Sequence, residues 1–483
     1  MEAISITRSK NMMIELIKQP LSEKIEQTGV QIENFLENGS IHSASEAIRE
    51  LSSCFEDLIW EGYLTSLFQC EIILSWLRAL GAKKGLRLVS YQTIWVTLPT
   101  GTKIQIRSPF FVKASPKRGR KKRGPQKRGV HLLLSVMGFV HKVEQKLAFR
   151  AIQLAVLSPS FDIASKTLGQ EGIGLSANQI RRLVSEMGNP GHSYRVERLL
   201  NDDEDTLFKG CRILIGVDGG RLRQRKNKRG RRPASYKRCG FHTDWVEPKL
   251  FTLHVIDEEG NILKDIAPFI DGTTGKLKEF MALLEQYLIR LGIEKASEVV
   301  LVGDGAPWIW ERIPNLIRSI GGDRLKLTEI IDWTHAKQNL NKAFETLSKK
   351  KRKKVNFKHF KNFLFSGKIN EIATELKALL NVRASSKFMK KLKSYFVSNI
   401  NRMQYEKNRA MKLPTGSGVI ESAIRRVVNM RVKSPGSFWK LGFAETVIYL
   451  RAQVLYGRWN NIIKNWELSL RNDFKGIANQ ATI

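Results

Sequence analysis

Cysteine is scarce in this sequence: Cys54, Cys70, Cys211 and Cys239 are the four among 483 residues, and no two stand as a Cys-x-x-Cys pair. That spacing excludes a disulfide framework and a zinc ribbon. Cys239 and His242 have a Cys-x-x-His spacing, but no second pair accompanies them to complete a zinc site. Long apolar runs are missing too. None approaches the ~20 residues a spanning helix needs, and no amphipathic anchor stands out, so no membrane partner is expected. The opening residues, "MEAISITRSKNMMIELIKQP", lack the apolar stretch of a secretory signal. A reduced, cytoplasmic protein is expected. Acidic residues are also in short supply. There are 46 Asp and Glu against 81 Lys and Arg, a formal net charge of +35. So basic a chain repels itself unless it meets a polyanion, and nucleic acid is the first candidate because phosphate neutralisation releases counterions. A nucleoid-associated location would follow. The plainer alternative is a basic soluble or ribosome-associated protein.

What is present is a chain with enough apolar residues, 42%, to build cores. Its length calls for about two to four domains. Residues 1–112 read as helices followed by a hairpin, "LRLVSYQTIWVTLPTGTKIQIRSPFF", turning at "PTG". Residues 113–130 contain "KASPKRGRKKRGPQKRG", which can bury nothing and reads as a basic arm; Lys117, Arg118 and Arg120 are its candidate phosphate contacts. Within 131–200, "SFDIASKTLGQEGIGLSANQIRRLVSEMG" reads as helix, glycine-containing turn, helix, with Ser160 and Ser176 as caps. This is a helix-turn-helix pattern, with Asn178, Gln179, Arg181 and Arg182 near the start of the second helix as DNA-reading candidates. An ordinary packed helical hairpin has the same pattern.

Residues 210–336 change character. "CRILIGVDGG" is a buried-strand run ending at Asp218, and "RLRQRKNKRGRRPASYKRCGFH" reads as a long basic loop. Two strands about "DEEGN" follow, then a helix, the strand "SEVVLVGDGAPWIW", a helix, and the strand "KLTEIIDWTHA". Residues 337–411 are helical and very basic, and 412–483 open a further helix behind "LPTGSG". Asp218 closes the first strand and Asp304 the fourth. If those strands are neighbours, the two aspartates meet at adjacent strand ends, and a helix across the sheet can bring Glu421 to them. Converging carboxylates suit hard divalent cations such as Mg²⁺ or Mn²⁺. Two such ions about 3.5–4 Å apart clamp the attacking and leaving oxygens of a phosphoryl transfer. Trp308 and Trp310 begin the next helix, where packing against the sheet or stacking on a distorted base are the two readings; Trp439 divides the same way.

The order of "GVDGG", "GDGAPWIW", "DWTHA" and "TGSGVIESAIRRVVNMRVKSPGSFW" resembles bacterial insertion-sequence transposases of the DDE class. The match is to the group with an all-helical insertion between the second Asp and the Glu, related to Mutator-like transposases. The likeness runs from about Arg212 to Arg458. It implies an α/β RNase H-like catalytic core with a helical insertion and a mainly helical N-terminal DNA-binding region. It implies a catalytic, metal-binding triad of Asp218, Asp304 and Glu421 with Mg²⁺ or Mn²⁺, two ions being expected. Asp332 and His335 match the family's [C/D]-x-x-H motif as active-site support; on chemistry alone they also fit a helix cap and a packed histidine. Arg425, Arg426, Arg431 and Lys433, which follow Glu421, are expected along the DNA path. The implied partners are element ends, target DNA and a second copy of the chain in a synaptic dimer or higher oligomer. The implied reaction is strand cleavage and strand transfer. A nuclease or resolvase of the same fold, or a non-catalytic DNA-binding derivative, are the rivals. Relatives often carry a cysteine-rich segment upstream of the core, which this sequence lacks.

Overall fold

The computed structural model describes residues 41–113, 129–188, 195–196, 200, 204–228, 230, 240–380 and 386–478, and 11–33 in part. Lys117, Arg118, Arg120 and Cys239 lie outside the described residues. The chain divides into two compact units: residues up to Met187 with those from Ile463 on, and Gly188–Ile462.

In the first unit, α1 (Ile41–Gln69) and α2 (Glu71–Lys83) precede an antiparallel hairpin of β1 (Leu86–Thr97) and β2 (Lys103–Lys113), extended by the short β3 (Gly129–Val130). The strand period of two sorts the hairpin. Ile94, Val96, Ile104 and Ile106 join Leu64, Leu77 and Leu132–Leu134 in one core, while Trp95, between two buried neighbours, is 58% exposed. Three helices follow: α3 (Gln145–Leu157), α4 (Phe161–Gln170) and α5 (Ala177–Met187). Both serine caps are present. Ser160 Oγ accepts from the Ile163 N–H at 3.1 Å and Ser176 Oγ from the Gln179 N–H at 3.3 Å. Ile180, Leu183, Val184 and Met187 are buried, so α5 presents its opposite, polar face outward.

The second unit is built on a five-stranded mixed sheet whose strands lie in the order Leu327–Ile331, Glu298–Gly303, Arg212–Gly219, Lys249–Ile256, Phe269–Thr273. Its strands are β4 (Arg212–Gly219), β7 (Lys249–Ile256), β8 (Phe269–Thr273), β9 (Glu298–Gly303) and β10 (Leu327–Ile331). β9 runs parallel to β4 and to β10, whereas β7 is antiparallel to β4 and to β8. β4 and β9 are near-continuous apolar runs because they are covered on both faces. Phe251 packs on Phe280 and Tyr287 of α6 (Leu277–Arg290), with ring centroids 5.9 and 5.2 Å apart. The helices α7 (Pro307–Gly321) and α8 (Trp333–Phe344) follow β9 and β10. Residues 349–410 supply only helical segments among those described, including Phe357–Phe365 and Ile369–Leu380. α9 (Gly418–Ala423) runs into a wide π-helical turn, Ile424–Asn429, and α10 (Leu441–Leu455) comes after it.

One segment departs from the loop expected between Asp218 and the second core strand. β5 (Leu222–Asn227) and β6 (Phe241–Val246) form a separate two-stranded antiparallel ribbon. Its alternation was invisible to a hydrophobic period, because nearly every side chain of both strands is polar or exposed.

His254 sits inside the sheet, 6% exposed, with neither ring nitrogen hydrogen-bonded. Burial pushes its pKa down to about 4 from an ordinary value of 6.5. The folded state therefore holds the ring neutral while the unfolded chain takes up a proton. Stability falls as pH drops through about 6.5 and levels off below about 4, a loss of roughly 3 kcal/mol by linkage. Urea denaturation of the protein and of His254→Leu between neutral pH and pH ~4 checks this. The substituted chain is expected to lose correspondingly less; parallel losses would show that His254 is not responsible.

Candidate active site

β4 carries Asp218 at its C-terminal end, and β9 runs beside it in parallel, pairing Val217 with Gly303. Asp304 is the next residue after that strand, so both aspartates leave neighbouring strand ends on the same edge of the sheet. Gly216 decides which face they share with the late helix. A Cβ on Gly216 would meet Thr252 Oγ1 at 2.8 Å and Ile420 Cβ at 3.0 Å. The missing side chain is therefore the seat of α9. Asp218, two residues further on, lies on the same face by the strand period. Glu421 is adjacent to Ile420. Gly216→Val is expected to lift α9 off the sheet by a fraction of an ångström to an ångström, and misplacement on that scale costs about 10²-fold in rate. Metal-dependent DNA cleavage, the activity proposed below, is expected to collapse while circular dichroism stays unchanged; full cleavage would mean that the Gly216 contact does not position Glu421.

Electrostatics link the acids. Burial pushes the Asp218 carboxyl up to about 6; the Gly219 N–H, at 2.7 Å, opposes this, and the negative charges of Asp304 and then Glu421 add to it. Asp304 Oδ1 accepts from the Ala306 N–H at 2.9 Å, and its carbonyl accepts from the Trp310 indole N–H at 2.7 Å. Trp310 is 8% exposed and packed, and Trp308 stands edge-on to Phe280 at 5.5 Å. Trp310 is thus spent on the core and on holding the Asp304 turn, while Trp308 is half-buried with Lys249 Nζ 5.5 Å from its ring centre. Gly305 has no room for a side chain, because its Cβ would fall 2.0 Å from Tyr395 Cε2. Tyr395 comes from the helical insertion. Burial first, then the charges of Asp304 and Asp332, push its pKa up to about 12. No motif in the sequence singled it out.

Asp332 and His335 occupy the same edge. Asp332 is the N-cap of α8, its Oδ2 accepting from the His335 N–H at 2.8 Å, while its Oδ1 accepts from the Ser417 N–H at 2.9 Å. His335 Nδ1 lies 2.9 Å from Asp332 Oδ2 and 3.7 Å from Glu421 Oε1. Burial works against the charge on Asp332, but the His335 and Ser417 hydrogen bonds more than offset it and hold its pKa below the carboxylate norm. The His335 pKa is raised, chiefly by its hydrogen bond to Asp332 and then by the neighbouring carboxylates. Glu421, 43% exposed, also accepts from Ser417 Oγ at 3.1 Å. Asp332 thus ties the "TGSG" turn to the end of β10, and with it the start of α9.

Among the described residues, the group of three whose ligand atoms all lie within 4.8 Å of one another is Asp332, His335 and Glu421; neither Asp218 nor Asp304 belongs to such a group. Asp218, Asp304 and Glu421 are also candidates for a divalent cation by donor chemistry. They are hard oxygen ligands whose charges repel one another, which a bound cation would relieve. Asp332 has both oxygens engaged by protein donors, so it is better placed to orient than to ligate.

The cation-bearing residues expected along a DNA path divide. Arg425, Arg426 and Lys433 are exposed, although the Arg426 guanidinium lies over the Tyr456 ring at 5.2 Å. Arg431 is a correction. It is 2% exposed, with its guanidinium 5.1 Å from the centre of the Trp439 ring, so it cannot face a phosphate at the surface. Asn178, Arg181 and Arg182 are exposed on α5, and Gln179 is half-buried, holding Ser176 through its side-chain oxygen. His242 is exposed.

No protein-family model matches the chain. A comparison with curated proteins gives no match either. Among solved structures, the Drosophila P element transposase strand transfer complex is similar at 16% identity over 67% of this chain and 81% of that one, with a TM-score of 0.25. So loose a superposition bears on neither fold nor site. No helix among the described residues is long and apolar enough to cross a membrane.

Proposed function

We propose that the chain is a DNA transposase with an RNase H-like core, in which Asp218, Asp304 and Glu421 hold divalent metal, Mg²⁺ or Mn²⁺, at the edge of the mixed sheet. The observation that carries this reading is the convergence of two parallel neighbouring strand ends and the Ile420–Glu421 turn on one sheet face, with charge coupling among the three acids. The net charge of +35 supplies the attraction to DNA. The resemblance of the acidic motifs to insertion-sequence transposases supports the same assignment.

When bound, divalent cations would polarise a phosphodiester and make water or a 3′-hydroxyl nucleophilic at neutral pH. The chain's own parts do the rest. Asp218 and Asp304 present oxygens from a rigid sheet edge. Asp332 fixes the turn before α9, and His335 stands between Asp332 and Glu421, where it can orient the Glu421 carboxylate. Exposed Arg425, Arg426 and Lys433 neutralise backbone phosphates, and α5 with Asn178, Arg181 and Arg182 reads element ends. Water adds to a phosphodiester at the element end and the P–O3′ bond breaks, leaving a 3′-hydroxyl and a 5′-phosphate; that 3′-hydroxyl then bonds to a target phosphorus, and the target strand's own P–O3′ bond breaks to release a target 3′-hydroxyl. Two ends brought together call for at least a dimer.

The test uses purified protein, Mg²⁺ or Mn²⁺ and a labelled fragment carrying the DNA that flanks its own gene. Discrete nicks followed by joined products are expected. Cleavage without joining would replace this reading with a nuclease, and binding without cleavage would replace it with a DNA-binding derivative.

A further inference from the structure

The β5–β6 ribbon begins three residues after Gly219 and has a one-sided chemistry. Its register pairs Arg223 with Trp245, Arg225 with Thr243 and Asn227 with Phe241. These positions alternate with Leu222, Gln224 and Lys226, so the arginines and aromatics fall on one face by the strand period. The Arg223 guanidinium stands 4.9 Å from the Trp245 ring centre and 5.9 Å from that of Phe438, and Arg225 stands 4.4 Å from Phe241. Arg221 adds a fourth such contact, 5.9 Å from Trp245. Trp245 is 52% exposed, Phe438 37% and Phe241 36%. Among the described residues none of the three arginines is paired with a carboxylate; the ribbon's ion pair, Lys226 with Asp244, lies on the other face.

The ribbon is braced where it meets the acids. Arg225 N donates to the Trp439 carbonyl at 2.7 Å and Trp439 N to the Arg223 carbonyl at 2.9 Å, so the "GSFW" segment extends the ladder. A Cβ on Gly220 would meet Val428 Cγ1 at 2.9 Å, which shows the turn after Glu421 packed under the ribbon's base. Phe241 and Phe438 pack on each other with ring centroids 5.3 Å apart, yet Trp245 keeps half its surface in water beside guanidinium groups that no carboxylate among the described residues neutralises, more apolar exposure than packing of the ribbon requires. This face matches a polymer that offers flat rings and phosphates alternately.

We propose that this face binds single-stranded DNA, stacking unpaired bases on Trp245 and Phe241 and placing the phosphates against Arg221, Arg223 and Arg225. The choice of single strand follows from chemistry. In a duplex each base face is covered by its neighbours, whereas an unpaired base presents a free face to an aromatic ring. The proposal rests on the DNA reading above and deepens it: strands opened at the cut would be held beside Asp218, on the ribbon that begins next to it.

The test is anisotropy with the full-length protein, in EDTA and at near-physiological salt, using a fluorescent oligothymidylate and a duplex of the same length. Trp245→Ala is expected to weaken oligothymidylate binding by about 10-fold, Trp245→Phe to restore most of it, and neither to change duplex affinity. Unchanged oligothymidylate affinity in Trp245→Ala would overturn the proposal, as would equal losses for both DNA forms. Because no divalent cation is present, the readout is independent of metal-dependent cleavage. Trp245-dependent binding by a chain that never cleaves DNA would sink the catalytic reading alone. Cleavage and joining by a chain indifferent to Trp245 would sink this one alone.

Discussion

Asp304→Asn is expected to abolish divalent-metal-dependent cleavage and joining, a fall of about 10²–10³-fold or more, the scale on which single electrostatic stabilisers of a transition state act. The substitution keeps the side chain's shape and the oxygen that accepts from the Ala306 N–H. It removes one negative charge from a set whose members already raise the Asp218 pKa. Relief of that repulsion means the variant should melt no lower than the original protein without metal, so its inactivity cannot be ascribed to unfolding. Asp332→Asn should behave differently. It weakens the buried acceptor of the His335 and Ser417 N–H groups, and so lowers stability as well as activity. Equal activity in the original protein and Asp304→Asn would place the chemistry elsewhere or reduce the chain to a DNA binder.

Arg195→Met is expected to destabilise the second unit by about 3–5 kcal/mol, the usual result of stranding a buried charge. Arg195 is 3% exposed. Its Nη1 donates to Asp271 Oδ1 at 3.1 Å and to the Gly272 carbonyl at 3.0 Å, and its Nη2 pairs with Glu445. Tyr287 Oη donates to Asp271 Oδ2 at 3.0 Å, while Thr273 Oγ1 and Thr274 N each donate to Glu445 Oε2 at 2.8 Å. The cluster joins β8 to α10 beneath the sheet. Without Arg195, two carboxylates remain buried without their cation. Replacing all three charges by apolar residues, Arg195→Met with Asp271→Leu and Glu445→Leu, should recover much of the loss, because the penalty belongs to the uncompensated charges. Urea unfolding measures both. A single variant as stable as the original would mean that water or local rearrangement already satisfies the carboxylates.

The elements legible in the sequence were those with strong local signals. The apolar runs ending at Asp218 and Asp304 read as strands because two covered faces demand continuous hydrophobicity, and their adjacency in the sheet agrees with the expected order. Serine caps at Ser160 and Ser176 announced α4 and α5. The β5–β6 ribbon stayed hidden because its alternation is arginine and aromatic against polar, not apolar against polar. The Arg195 cluster was illegible for another reason: its partners are 76 and 250 residues away, and only the fold brings them together. Tyr395 is similar, a helical residue that matters because Gly305 leaves space for its ring. Arg431 misled by its neighbours. Position on a basic helix suggested the surface, but the turn after Asn429 directs it against Trp439.

Mn²⁺ titration followed by electron paramagnetic resonance decides most directly which residues take the cation. Binding is predicted to the original protein, with loss in Asp218→Asn, Asp304→Asn and Glu421→Gln alike, and retention in His335→Ala. Binding that survives Asp218→Asn and Asp304→Asn but disappears in His335→Ala would contradict the account, and would assign the metal to Asp332, His335 and Glu421 instead.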